Sequence, residues 1–542
     1  VLQVVEPHLN GPGGEVPILI APARTGEVAV VCGQGVAPRR ATIAHLRGLG
    51  LDQIPGTGLL AATVPGAFDA WMLLLRDHGS IGVREALQPA IDLAASGHPL
   101  LPRAAAAISA VAGTFTEDWP TSAALWLQGS SAPAAGARWR NPELAATYTR
   151  ISDEAQARAG GREAQIEAAR DAWYRGFVAE TIGRFVGSVG EVPDASGGRH
   201  AGLLDADDLA RWSATVEPSV ALTLGRHTVH KTGPWGQGPV LLEQLGMLRD
   251  DDLDPTGAGY VHTLVEVGNL AFADRDAWYG DPLFHDVPLR GLLDPAYLGR
   301  RRALVGDRAE PALRPGRPDG RSPSLPLSLR TAPEHPAPGL GEPAVRRDGT
   351  TRGDTCHLDV VDAAGTLVSA TPSGGWLQSS PAVPGLGFCL GTRAQMFWLE
   401  EGLASSLRPG ARPRTTLSPG IVARDGEPWL AFGTPGGDSQ DQWALQFLVK
   451  VFAGMGLQEA IDAPAFHSNA PISSFYPRSR RPGVVVEGRF GPATVAGLRR
   501  RGHEVTVAPD WSEGRLSAVA RDGGWLRAAA DPRGAQSYAA GR

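Results

Sequence analysis

Cysteine is nearly absent: Cys32, Cys356 and Cys389 are the three thiols in 542 residues. An odd, widely spaced set excludes a disulfide framework. No clustered Cys/His group has the ligand spacing that would suggest a metal site. Long apolar runs are also missing. The best candidate, Leu59 to Leu75, is broken by Pro65, Gly66 and Asp69, so no bilayer span is expected. No signal peptide is visible. Nor is there an excess of positive charge, with 51 Lys and Arg against 57 Asp and Glu. The basic cluster Arg499-Arg500-Arg501 ends a helical-looking segment and precedes Gly502, where cations suit a helix C-terminus better than a nucleic-acid contact. The composition as a whole, 42% hydrophobic and 20% charged, agrees with a soluble protein able to bury a large core.

Periodicity divides the chain. After its opening strands the first part is mostly helical, with apolar residues at helical spacing over 85–95 and over 162–184. From about Arg308 to Gly353, Pro, Gly and Arg crowd a stretch without periodicity, which is expected to be mobile. Strands dominate after that, with one helix expected over 440–453.

At the end of the irregular stretch stands Asp354-Thr355-Cys356-His357, followed by the alternating Leu358-Asp359-Val360-Val361-Asp362. A self-cleaving N-terminal nucleophile hydrolase needs a hydroxyl residue at such a threshold. Cleavage frees the α-amino group, which then activates the side chain of the same residue. A hairpin comes next, with Val360-Val361 and Thr366-Leu367-Val368 flanking Asp362-Ala363-Ala364-Gly365. Its second strand runs into Ser369-Ala370-Thr371-Pro372-Ser373-Gly374-Gly375. Further on, Trp429-Leu430-Ala431-Phe432 leads into Gly433-Thr434-Pro435-Gly436-Gly437-Asp438. Adjacent glycines after a strand can present unobstructed N–H groups to an oxyanion, although each pair taken singly reads as a turn.

Taken in order, these motifs resemble the γ-glutamyltranspeptidases and their amidohydrolase relatives. Matching stretches are Val5-Glu6-Pro7 with Gly11-Pro12-Gly13-Gly14, Gly82-Val83 with the run Leu87 to Ala94, and Trp173-Tyr174-Arg175-Gly176. Phe272-Ala273-Asp274-Arg275 leading to Gly280-Asp281-Pro282, Gly433 to Gly437, and Asp531-Pro532-Arg533 complete the set. The resemblance implies an α+β fold, a four-layer αββα sandwich of N-terminal nucleophile hydrolase type. It implies a large (α) region, 1–354, and a small (β) region, 355–542, intertwined in one domain. Cleavage between Asp354 and Thr355 would free Thr355 as nucleophile. Gly436 and Gly437 would serve the oxyanion, and Ser373 would hydrogen-bond the nucleophile and assist maturation. The partners implied are a small-molecule amide and then water or an amine acceptor, with no nucleic acid and no membrane. The resemblance also implies that neither a metal nor an organic cofactor is needed.

Cys356 is the rival nucleophile, but the family's threonine aligns with Thr355. His357 shares the alternation of Thr355 and is assigned a structural role, because the mechanism supplies its own amine. Head-group recognition departs from the family. Gln34 stands where an Arg holds the γ-glutamyl α-carboxylate, and Phe397 or Trp398 where an acid holds the α-ammonium. The hydroxyl pair survives as Thr415 and Thr416, and Arg393 offers a displaced cation. With Trp235 and Trp376 near the expected walls, an apolar or uncharged acyl group is expected. A genuine γ-glutamyl enzyme with an altered clamp, or an uncleaved scaffold, are the alternatives. Location defaults to the cytoplasm; the chain begins inside a family element, so a periplasmic or secreted protein follows if an N-terminal signal is missing. The intact mass under denaturing conditions is expected to resolve two fragments, the smaller beginning at Thr355. A fragment beginning at Cys356 would shift the nucleophile by one residue.

Overall fold

Alternation along the strands decides the architecture. The computed structural model describes residues 1–251, 254–327, 355–533 and 537–541. In it a five-stranded antiparallel sheet runs Leu358–Val361, Leu367–Ala370, Val16–Ala21, Ala29–Gly33, Thr215–Pro218. A six-stranded antiparallel sheet runs Trp525–Ala530, Ser517–Asp522, Glu427–Gly433, Gly420–Arg424, His227–Lys231, Val220–Leu224. Each sheet therefore joins a block of strands from before Thr355 to a block from after it.

Every second side chain enters the layer between the sheets. Leu19, Ala21, Val30, Cys32 and Leu367 from the first sheet meet Ile421 and Ala431 from the second in one buried cluster, with Val361 and Val519 packed on it. Their neighbours along the strands point outward. Val16, Ile18, Val31 and Ala370 pack on Ala67, Ala70 and Leu73 of helix Ala67–His78. On the other side, Val422, Leu430, Phe432, Ala518 and Ala520 join a larger core with Leu241, Leu245, Leu445 and Leu448. Those leucines belong to helices Gly238–Met247 and Gln440–Phe452. None of the described helices is long and apolar enough to cross a membrane.

The periodicity over 85–95 lies inside helix Val83–Ser96, and that over 440–453 becomes Gln440–Phe452. The run over 162–184 is two helices, Arg162–Tyr174 and Phe177–Ser188. Gly176 leaves the helical region between them, and the second helix turns to bury Val178, Ile182 and Val186. The first part of the stretch expected to be mobile is anchored. Arg314 pairs with Glu266 at 3.2 Å, Gly316 N donates to Asp274, and Trp278 Nε1 donates to Gly316 O at 3.2 Å. Two buried carboxylates thus find their donors in a segment that lacks periodicity. Residues 328–354, including Asp354, lie outside the described residues.

Gly433 ends the strand that passes over the start of the Leu358–Val361 strand, and a Cβ there would lie 2.3 Å from His357 Cε1. Gly433→Ala is expected to destabilise the fold by about 1–3 kcal/mol. The check is a lowered urea midpoint at unchanged slope.

Candidate active site

Two ladders meet at Ser373. Leu358 and Ile18 both oppose Ala370, from either side. Continuing both registers by three residues sets Thr355 and Glu15 opposite Ser373, and both bridges form. Thr355 Oγ1 lies 3.1 Å from Ser373 Oγ, and both residues are buried. Arg393, on the short helical turn Arg393–Met396, donates from Nη2 to Ser373 Oγ at 2.9 Å. The same guanidinium is ion-paired with Glu15 and lies over the rings of Trp376 and Phe475.

His357 is on the Thr355 face of the strand. Its Nδ1 meets Thr371 Oγ1 at 2.8 Å and its Nε2 meets Asp359 at 3.0 Å, while Ser517 Oγ donates to Asp359 Oδ2 at 2.9 Å. Both ring nitrogens are committed, which fits a structural histidine. Cys356 faces the opposite way. Its thiol donates to Glu6 Oε2 at 2.8 Å and accepts from Asn10 Nδ2 at 3.0 Å. Burial, and then the Glu6 carboxylate, push the Cys356 thiol well above its ordinary range, so the thiolate that would attack is suppressed.

The glycine pair sits where the Glu427–Gly433 strand turns toward helix Gln440–Phe452. Gly436 has φ 123° and Gly437 φ 53°, and a Cβ on Gly436 would lie 2.4 Å from the Trp443 ring. Only glycine fits that turn. Amides at the start of a helix lack intrahelical acceptors and carry partial positive charge, which suits an oxyanion. The loop is clamped from behind. Gln237 Nε2 donates to Gly437 O at 3.2 Å, and Arg275 Nη1 donates to Gln237 Oε1 at 3.1 Å while pairing with Asp438. Asp438 also accepts from Ser474 N and Oγ, at 2.8 and 2.6 Å. Burial works against its charge, but Arg275 and Arg414 with Ser474 hold its pKa below the usual carboxylate range. Thr355 and Pro435 line one cavity of about 280 Å³, which brings this loop beside the nucleophile candidate.

The family model for γ-glutamyltranspeptidase matches residues 1–541. This chain belongs to the γ-glutamyltranspeptidase family. It is 29% identical to the glutathione hydrolase-like YwrD proenzyme of Bacillus subtilis, over 98% of this chain and 90% of that protein. Against the oxamate amidohydrolase proenzyme of Klebsiella pneumoniae, identity is 30% over the same shares, 98% and 90%. A solved structure of a LmbA2991 variant superposes with a TM-score of 0.94 at 56% identity, covering 100% of this chain and 92% of that one. The cephalosporin acylase of Bacillus halodurans superposes with a TM-score of 0.80 at 25% identity, covering 98% and 88%. The γ-glutamyltranspeptidase-family chain is accordingly an N-terminal nucleophile amidohydrolase of the self-processing type.

Other residues singled out in this γ-glutamyltranspeptidase-family chain divide into two groups. Gln34 Oε1, Thr416 Oγ1 and Arg393 Nη1 are buried with no hydrogen-bond partner among the described residues. Thr415 is fixed by its backbone, donating to Trp235 O at 3.0 Å. Phe397, by contrast, packs in an apolar cluster with Ala37, Leu46 and Leu60, and Trp398 lies under Arg478 at 3.4 Å. Trp235 belongs to the layer between the sheets, its Nε1 donating to Glu217 at 2.8 Å. Trp376 donates to Leu9 O at 2.9 Å and packs with Met396 and Phe475. Glu15, Gln237 and Ser474 carry no signal that the sequence motifs capture, while Arg275 and Asp438 stand within quoted motifs without an assigned role. For Glu15 the available signal was an acid directly after a glycine pair and ahead of an apolar strand.

One group of potential metal ligands lies elsewhere: His262, Glu266 and His503. The two rings already hydrogen-bond at 2.8 Å, His262 Nε2 meets Gly306 O, and Glu266 accepts from Glu310 N and Arg314. Those partners make it a satisfied polar cluster. Within the γ-glutamyltranspeptidase-family site, the state of Cys356 is open to direct measurement. In the folded protein at pH 8, iodoacetamide is expected to leave Cys356 unmodified and activity intact. Alkylation of Cys356 in step with loss of activity would contradict the assignment of an inert thiol.

Proposed function

We propose that this enzyme cuts its own chain between Asp354 and Thr355 and then hydrolyses or transfers a short acyl group through an ester on Thr355. The observation that carries this reading is the buried Thr355–Ser373–Arg393 chain of hydrogen bonds at a strand end, beside a glycine-pair loop. Thr355 Oγ1 attacks the amide carbonyl, and its own α-amine takes the proton. Gly436 and Gly437 N–H groups receive the oxyanion. The amine leaving group departs with a proton, and water or an acceptor amine releases the acyl group. The large and small regions, 1–354 and 355–542, remain associated as subunits, and we assign the whole a four-layer αββα arrangement.

The acyl group is proposed not to be a standard γ-glutamyl. Gln34 cannot supply the charge of an arginine, and the segment that should hold an ammonium offers Phe397 and Trp398, both packed among other side chains. The expectation of an apolar acyl group is revised, however. Arg393 Nη1 is a buried donor with no hydrogen-bond partner among the described residues, on the guanidinium that already touches Ser373. That supports a carboxylate close to the scissile carbonyl. Oxamate, named for the Klebsiella relative, has that layout. A second reading, γ-glutamyl hydrolysis through the Thr415–Thr416 pair, is favoured by the unpartnered Thr416 hydroxyl.

Ammonia or aniline release from oxamate, an uncharged acyl anilide and a γ-glutamyl anilide separates these readings. The carboxylate-bearing short amide is expected to exceed the other two in kcat/KM by about 10- to 100-fold, the size of a hydrogen bond to a charged group. High efficiency on the γ-glutamyl anilide would overturn the acyl assignment. Thr355→Ala is expected to lose both self-cleavage and turnover.

A further inference from the structure

Ser373 is held between a hydroxyl and a guanidinium. Arginine has donors and no acceptor, so Ser373 Oγ must accept from Arg393 Nη2, at 2.9 Å. Its own proton then has a partner in Thr355 Oγ1, at 3.1 Å. A cation on the oxygen of a hydroxyl makes that hydroxyl a stronger donor and a poorer acceptor. Arg393 is in turn fixed by Glu15, which the strand register sets on the far side of Ser373 from Thr355. All four side chains are buried.

We propose that Glu15 and Arg393 are positioning residues: they point the Ser373 hydroxyl proton at Thr355 Oγ1, and this polarity serves self-cleavage as well as turnover. The inference rests on Thr355 as the nucleophile. In self-cleavage Thr355 Oγ1 bonds to the carbonyl carbon of the preceding residue while the C–N bond to the Thr355 nitrogen breaks. The hydroxyl proton passes to that nitrogen, leaving a free amine and an ester. Water then splits the ester, its hydroxyl going to the acyl carbon and its proton to Thr355 Oγ1. Negative charge gathers on Oγ1 and on the carbonyl oxygen as the bond forms, and a donor at Oγ1 favours the loss of its proton.

The same pair also sets the field at the freed α-amine. Arg393 disfavours the ammonium form and Glu15 favours it. The other charged or titratable groups around the nucleophile, Glu6, Arg103, Cys356, the His357–Asp359 pair, Arg515 and Arg533, stay constant across variants at positions 15 and 393.

Self-cleavage needs no substrate, so it isolates this role from any contact Arg393 makes with an acyl group. The test uses the full chain, newly synthesised, with fragment appearance followed over time. It continues with pH profiles of kcat/KM for the matured protein. Arg393→Gln is expected to slow cleavage by about 10- to 100-fold, and Arg393→Lys to recover part of that loss. The acid limb of kcat/KM should move to higher pH in Arg393→Gln and to lower pH in Glu15→Gln, each by about one pH unit. Opposite shifts are what a merely structural pair would not produce. Cleavage of Arg393→Gln at the wild-type rate, or limbs that stay in place, would overturn the proposal. If thermal melts show Arg393→Gln unfolded, Arg393→Lys and Glu15→Gln decide it by the same two readouts. Cleavage surviving in Thr355→Ala is a different outcome, which removes the nucleophile assignment itself.

Discussion

Antiparallel register is the constraint on which the site depends. Two ladders, one from each side of the Leu367–Ala370 strand, extend past their last paired residues and converge on Ser373. Side chains directly opposite on neighbouring strands stand about 5 Å apart. Glu15, Ser373 and Thr355 therefore come together although 340 positions of chain separate the first from the last. A slip of one residue in either ladder would turn one of them to the other face. The hydrophobic layer prevents that slip. Leu19, Leu367 and Val361 occupy the same inward-facing positions further along the strands, so the apolar pattern that packs the sheets also aims Thr355.

Along that inward face the chemistry changes gradually. Apolar side chains fill the middle, then come Ser369, Asp359, Ser517, His357 and Thr371, each hydrogen-bonded, and Thr355 with Ser373 stand at the end. Such a gradient lets a sandwich carry polar groups inward without leaving them unsatisfied. It also accommodates His357, whose ring lies against Gly433 of the facing sheet and hydrogen-bonds Asp359, the carboxylate that Ser517 reaches from that sheet. On the facing side the glycine-pair loop gains its rigidity from buried charge. Arg275 and Asp438 cost desolvation, which their ion pair and the Gln237 and Ser474 hydrogen bonds offset. A loop with two left-handed glycines would otherwise sample many conformations, and oxyanion donors act only when fixed in advance.

Some of this was legible in the sequence and some was not. Alternation and turn residues were enough for the hairpin after Thr355, and Gly436-Gly437 was recognisable because a positive φ demands glycine. Helices over 85–95 and 440–453 followed from apolar spacing. The break at Gly176 was harder, since the apolar period continues through it and only tertiary packing decides the turn. Trp235 and Trp376 flank glycine-rich loops; each taken singly reads as packing, and their N–H groups have partners while their rings pack in buried clusters. Composition gave no hint of the contacts before residue 328, where Arg314 and the backbone of Gly316 serve carboxylates far away in sequence. Glu15 and Arg275 could not be assigned from sequence, for their roles exist only once distant segments meet.

The separation between chemistry and specificity has a physical origin. The placement of Thr355, Ser373 and Glu15 relative to one another is set by paired strands whose register the core enforces, so it can change only together with the fold. Gln34, Arg393, Phe397 and the Thr415–Thr416 pair lie outside the strands of the two sheets. Side chains there can be exchanged without unpairing a ladder. A family built this way can lose the charged clamp for one head group while keeping the attack geometry. What limits the exchange is burial. Each buried guanidinium or hydroxyl needs a counterpart, and Arg393 Nη1 and Thr416 Oγ1 have none among the described residues, which is what the proposed acyl assignment draws on.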